Sequence, residues 1–337
     1  MASPSRDVRV VITNRVFPET LALLEARATV VANRDPEPWP RALLLEHAAA
    51  ANALVAFMPD RIDDAFLAAC PHLALIAAAL KGYDNFDVAS CTRRGVRLTV
   101  VPDLLTAPTA ELAVGLTIAL ARRLLAADSY MRSGRFAGWR PQFYGTGLDG
   151  SIVGIVGMGA VGRAIAVRLA GFGCRMLYAD PQTLPAADAE RLGVAPVALD
   201  ALLATSDFIL LAAPYDAASH HLIDCAALAR VKPGAYLINP ARGSLVDEEA
   251  VAEALAEGRL AGYAADTFEM EDWARADRPP GIAPELLADR GRTVLTPHLG
   301  SAVDRVRRAI ELEAARNVIR WLDGVPLVGC VNPEAAP

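Results

Sequence analysis

The chain has 337 residues, 53% of them hydrophobic and 21% charged, with a mean hydropathy of +0.28; this excludes a disordered chain and gives length for two cores. A formal charge of -6 without a basic cluster excludes nucleic acid as the expected partner. Five scattered cysteines without a CxxC pair fit reduced thiols in a cytoplasm and offer no metal site.

Charges among the first seven residues, with no long apolar run behind them, predict no signal peptide, and no stretch is apolar enough to predict a membrane span. Residues 8–13 read as a strand, 18–26 as a helix carrying Leu21, Leu23 and Leu24, and 29–32 as a second strand. A helix over 41–51, a strand over 53–57, a helix over 63–70 and a continuous apolar strand over 73–80 follow. This alternation predicts a parallel sheet with helices on both faces. It contains no Gly-rich turn, so it reads as an α/β unit without the cofactor. Its last apolar strand runs into Lys81, Gly82, Tyr83 and Asp84. Ligands in open α/β sheets sit beyond the carboxyl ends of strands, which places this loop at a site. A strand over 96–100 and a linker from Pro102 lead to one long helix, predicted from Thr109 as its N-cap through Arg132. Residues 138–147 form a loop rich in aromatic and turn residues.

Residues 151–180 organise the second half. A β-branched run over 152–156 is followed by Gly157, Gly159 and Gly162 in GxGxxG spacing, a helix over 161–170 and a strand over 175–179 ending at Asp180. The first glycine permits a tight turn, the second lets backbone approach a pyrophosphate, and the third lets helix and strand pack closely. Asp180 stands where a carboxylate takes the adenosine ribose hydroxyls, and no Arg or Lys follows in Pro181, Gln182 and Thr183. That favours NAD over NADP. Strands over 208–212, 236–239, 262–265 and 293–295 continue the pattern, with helices near 199–203, 224–231 and 248–258. A final helix over 303–322 returns to the first unit.

Three side chains near strand ends could carry chemistry. Arg242 offers a fixed fork for an oxyanion, His298 can take a proton, and Glu271 could orient and stabilise that imidazole. Each has a plainer alternative: a surface ion pair for Arg242, a histidine capping the last helix for His298, and a solvated charged loop for Glu271.

The strings GMGAVGRAIA, ARGSLVDEEA, DTFEMED and TPHLGSA, in that order behind a cofactor-free α/β unit, resemble the D-2-hydroxyacid dehydrogenase family across essentially the whole chain. The resemblance implies two doubly wound parallel-sheet (Rossmann-like) domains, with an NAD-binding domain (105–298) inserted in a substrate domain (1–104 and 299–337). By motif, Arg242 would bind the substrate's anionic group, His298 would be the acid/base and Glu271 would tune it. The cofactor-binding set would be Gly157, Met158, Gly159, Ala160, Val161, Gly162, Asp180, Thr109, Pro214 and Asp266. Relatives of this kind are homodimers through their cofactor domains, so a homodimer is implied.

One departure from the family pattern shapes the expected substrate. The loop reads Leu80-Lys81-Gly82-Tyr83-Asp84-Asn85, with an ammonium where the family has a small residue. Lys81 with Arg242 makes two cations, which suits a small dianion. The strings AFMPDRID, VPDLLTAPTAEL, GWRPQFYGTGLD, GYAADTFEMEDWARADRP and PHLGSAVDRVR resemble the phosphite-oxidising (phosphonate dehydrogenase) members of the family. The expectation is therefore NAD-dependent oxidation of phosphite to phosphate. Lys81, Gly82 and Arg242 would hold phosphite, with Met58, Trp139, Tyr144, Ser301 and Arg307 around it and Asp84 and Thr109 nearby. The alternative is a D-2-hydroxyacid or glyoxylate/hydroxypyruvate reductase. A further one is an NAD-sensing protein without activity.

Overall fold

The computed structural model describes residues 8–101 and 103–335; the expected absence of a signal peptide, which rests on residues 1–7, and the linker's opening Pro102 lie outside them. The chain divides into two compact units, one of residues 1–105, 273–276 and 303–337, the other of residues 106–272 and 277–302.

The first unit alternates β1 (Arg9–Ile12), α1 (Pro18–Glu25), β2 (Thr29–Ala32), α2 (Arg41–Ala48), β3 (Ala53–Ala56), α3 (Asp64–Ala69), β4 (Leu75–Ala78), α4 (Val88–Arg93) and β5 (Arg97–Thr99). All five strands pair in parallel in the order β2-β1-β3-β4-β5. Strands β3 and β4 are apolar throughout because both their faces are buried. The C-terminal helix α13 (Asp304–Leu322) completes this unit. Its Val306, Ile310, Ala314 and Val318 recur every fourth residue, so they form one stripe buried against β4 and α1. Burying each large side chain of that stripe contributes about 1.5–3 kcal/mol. Glu311 accepts the Phe17 N–H at 2.9 Å and the Arg308 guanidinium lies 4.0 Å over the Phe17 ring, which locks α13 to the start of α1.

The second unit begins with α5 (Thr106–Ala121) and α6 (Leu124–Arg132). It continues through β6 (Ile152–Val156), α7 (Ala160–Leu169), β7 (Arg175–Ala179), α8 (Ala186–Leu192), β8 (Val194–Pro196), α9 (Leu199–Thr205) and β9 (Phe208–Leu211). Then come α10 (Cys225–Leu228), β10 (Ala235–Asn239), α11 (Glu248–Ala256), β11 (Leu260–Ala265), α12 (Pro284–Ala288) and β12 (Thr293–Leu295). The seven strands run parallel in the order β12-β11-β10-β9-β6-β7-β8. The strand order, not the strand direction, reverses between β6 and β9, which makes their carboxyl ends the switch point, where such sheets bind ligands.

The single helix expected from Thr109 to Arg132 is two helices. Arg123 adopts a left-handed conformation (φ 53°), and Thr146 donates its N–H to the Ala121 carbonyl at 3.0 Å. That bond takes the acceptor a continuing helix would use, so the chain turns. The short elements α4, α8, β8 and α12 are additional to the sequence reading. Among the described residues no helix is long and apolar enough to cross a membrane.

Candidate active site

Because all seven strands of the second unit are parallel, every loop after a strand emerges at the same edge of the sheet. The glycine turn follows β6, Asp180 follows β7, Pro214 lies past β9, Arg242 follows β10, Asp266 follows β11 and His298 follows β12. Arg242, Glu271 and His298 thus come from loops behind three adjacent strands.

The glycine turn fits a dinucleotide. A Cβ on Gly157, which has φ 94°, would lie 2.6 Å from the Ala213 nitrogen, and one on Gly162 would lie 2.2 Å from the Gly157 carbonyl oxygen. Both positions therefore require glycine. Over Gly159 no atom lies within 4 Å, so the open space sits at the N-terminus of α7, where backbone N–H groups attract phosphate. Asp180 accepts the Met158 N–H and the Gln182 N–H, each at 2.7 Å, which fixes its carboxylate beside the turn. Ala160 and Val161 form the first turn of α7. Pro214 is exposed.

The acid/base candidates meet directly. Glu271 Oε2 lies 2.8 Å from His298 Nδ1, while its Oε1 accepts the Phe268 N–H at 2.9 Å. An ionised carboxylate only accepts, so it selects the tautomer with hydrogen on Nδ1 and leaves Nε2 for proton exchange. His298 sits in the left-handed region (φ 54°), held by its N–H to the Asp266 carbonyl at 2.8 Å. Asp266 is fully buried, its carboxylate accepting Thr296 Oγ1 at 2.6 Å and the N–H groups of Leu299 and Gly300 at 2.6 and 2.7 Å. Burial raises the Asp266 pKa, against the opposing effect of those bonds. Asp266 shapes the histidine loop. Thr109, on α5, lies against Gly300 of the same loop, and Ser301 follows it. Asn239 Nδ2 donates to the Arg242 carbonyl at 2.8 Å, fixing the backbone that carries the guanidinium.

Trp139 and Tyr144 are 80% and 72% exposed. Both lie in the segment between α6 and β6.

In the first unit, Met58 follows β3 and Lys81 and Gly82 follow β4. Asn85 Nδ2 donates to the Met58 and Asp60 carbonyls at 3.0 and 2.6 Å, tying the two loops together. Asp84 precedes this asparagine. Arg307 on α13 lies 6.0 Å from the centre of the Phe57 ring and 3.8 Å from Glu311. Burial lowers its pKa, and Glu311 partly offsets this. Lys81 Nζ lies 3.5 Å from Asp103 Oδ1.

One signal went unread in the sequence. His220, His221 and Glu269 bring ligand-type atoms within 4.8 Å of one another beside the Glu271 turn. The pairing of adjacent histidines with a glutamate 48 residues on could not be inferred from spacing.

Residues 114–300 match the family model described as D-isomer specific 2-hydroxyacid dehydrogenase, NAD binding domain. A glyoxylate reductase of Thermococcus litoralis is 37% identical over 97% of both chains. Among solved structures, a glyoxylate reductase from Paecilomyes thermophila superposes with a TM-score of 0.84 at 26% identity, covering 97% of this chain and 99% of its own. An NADPH-dependent glyoxylate/hydroxypyruvate reductase from Sinorhizobium meliloti, solved with NADP and malonate, gives 0.83 at 27%, covering 98% of each.

These findings overturn the phosphite expectation. Relatives aligned along nearly the full chain are glyoxylate reductases, which is the alternative reading. A lysine in place of one small residue of the substrate loop does not by itself fix the substrate, and its ammonium also lies 3.5 Å from the exposed Asp103 carboxylate.

Proposed function

The chain belongs to the D-isomer specific 2-hydroxyacid dehydrogenase family of NAD-binding oxidoreductases, and on that footing we propose that it reduces glyoxylate or hydroxypyruvate to the corresponding 2-hydroxy acid. The likeness to glyoxylate reductases along nearly the full chain supports the substrate class, and the 2.8 Å contact of Glu271 with His298 Nδ1, on the loop behind β12, supports the acid/base chemistry.

NADH, held at the glycine turn and Asp180, would supply the hydride for the carbonyl carbon. Arg242 holds the substrate carboxylate with its planar fork and draws charge from the carbonyl oxygen. His298, protonated, gives its Nε2 hydrogen to that oxygen as the C–O bond becomes single; Glu271 stabilises the imidazolium and keeps Nε2 in place. In the reverse direction neutral His298 accepts the hydroxyl proton. Asp180 favours NADH, because a 2′-phosphate would meet its carboxylate.

The protein also acts as a homodimer in this reading. Helix α6 buries no residue in its own chain, and Leu124, Leu125, Met131 and Phe136 stand exposed along it and just beyond.

The test is NADH consumption with glyoxylate and with hydroxypyruvate. Turnover is expected with at least one, with a higher kcat/KM for NADH than for NADPH, and Arg242→Ala and His298→Asn should each lose about 100-fold or more. No turnover of either oxo acid by wild type would sink the reading.

A further inference from the structure

Three loops of the second unit, those after β9, β10 and β11, are braced around Arg242 and Glu271 by groups outside the proposed chemistry. A Cβ on Gly243, next to Arg242, would lie 1.9 Å from the Phe268 carbonyl carbon, so the arginine loop rests directly on the backbone of the acidic turn. Ser244 donates its N–H to Asp272 Oδ2 at 3.0 Å, and its carbonyl accepts the His221 N–H at 2.8 Å. The His221 ring closes the circle: Nε2 is hydrogen-bonded to Glu269 Oε1, and Nδ1 lies 4.0 Å from Asp247 Oδ2. Glu269 opens the short 3-10 turn Glu269–Glu271, whose last residue meets His298. Its own N–H is accepted by Glu248 Oε1 at 2.8 Å.

We propose that the His221–Glu269 pair is a positioning strut that sets the spacing between Arg242, which holds the substrate anion, and Glu271, which orients the acid/base histidine. The proposal rests on the oxo-acid reductase reading above. Two observations favour a strut over a fortuitous contact. His221 adopts a left-handed backbone (φ 48°), a conformation that non-glycine residues retain only where surroundings enforce it. In addition, Glu269 lies among carboxylates. Burial first, then the charges of Glu269 and Glu271, push Glu248 up to about 7 against the lowering effect of the Glu269 and Ala283 N–H bonds. The His221 ring meets the Glu269 carboxylate in that company and ties it to the loop that carries Ser244.

A transition-metal ion shared by His220, His221 and Glu269 is the competing use of the same atoms. Two ligands of a tetrahedral ion sit about 3.3 Å apart, given bonds of about 2.0–2.1 Å. His221 and Glu269 are instead in direct hydrogen-bond contact.

The experiment compares full-length wild type, His221→Ala, His221→Gln and Glu271→Gln in glyoxylate and hydroxypyruvate reduction, with NADH affinity and melting temperature measured on each. His221→Ala should lower kcat about 10- to 100-fold and raise the oxo-acid KM, since both partners of the substrate move by a fraction of an ångström. Its NADH affinity should stay within about twofold, and His221→Gln, which keeps a donor, should recover most of kcat. A His221→Ala enzyme with unchanged kcat and only a lower melting temperature would overturn the strut. So would stoichiometric zinc or copper bound by wild type, detected by elemental analysis and lost in His220→Ala. Inactive wild type, or active Glu271→Gln, would instead indict the reductase reading, so the two failures are separable.

Discussion

Asp60 is buried behind β3, where Thr13 Oγ1 donates to its carboxylate at 2.5 Å and the Phe57 N–H at 2.7 Å. Burial outweighs both bonds and pushes its pKa up to about 6 from 3.8. The folded protein therefore binds this proton more tightly than the unfolded chain does. The resulting stability is complete below 3.8 and is lost as pH rises through about 6. Asp60→Asn keeps an oxygen for both donors and carries no charge. It should exceed wild type in unfolding free energy by about 3 kcal/mol near pH 8, with the gap closing toward pH 4. Urea titrations at the two pH values measure this, and a gap independent of pH would show that Asp60 is not the group responsible. His298 makes a related point. A left-handed non-glycine residue costs roughly 1–2 kcal/mol, and the three hydrogen bonds to the buried Asp266 carboxylate offset that cost in holding the 296–300 loop. The motif around His298 was legible because its residue types lie together. The role of Asp266 was not, since only the folded loop shows which atoms its oxygens face.

Helices α5 and α6 show how far an element can be read locally. Apolar residues run on across residues 109–132, and nothing in that run marks the break, because the carbonyl of Ala121 is claimed by Thr146 from a loop 25 residues away. Arg123 takes the left-handed turn that follows (φ 53°). Glycine reaches that region without a Cβ clash, so Arg123→Gly should leave stability unchanged or raise it by up to about 1 kcal/mol, the relief being partly offset by greater unfolded-chain entropy. A fall in unfolding free energy of 1 kcal/mol or more would mean the Arg123 side chain does more than accommodate the turn. By contrast, β3, β4 and β6 could be read directly, since strands buried on both faces need continuous apolar residues. Helix α4 and strand β8 escaped because so few residues show no period.

At the scale of the molecule, each unit has a parallel sheet with its own core. The second unit leaves Leu124, Leu125, Met131, Phe136 and Trp139 exposed at its surface, and large exposed apolar side chains grouped along one helix mark an interaction face. Light scattering on the intact protein should give twice the 35.7 kDa chain mass. Leu125→Asp with Met131→Asp should shift it toward one chain, since two buried charges without partners oppose association. A single-chain mass for wild type at micromolar concentration would exclude the homodimer.

Alternation of apolar strands with helices, the spacing of Gly157, Gly159 and Gly162, and Asp180 at the end of the next strand are properties of contiguous chain, so the α/β class and the NAD-binding turn were determined by the sequence alone. The neighbours of the substrate-loop lysine were not. Lys81 could be read only as a residue type, and only the tertiary structure brings Asp103, 22 residues later, within 3.5 Å of it. The same holds for His221 and Glu269. Electrostatic partners and hydrogen-bond struts act across space, whereas a sequence orders residues only along the chain.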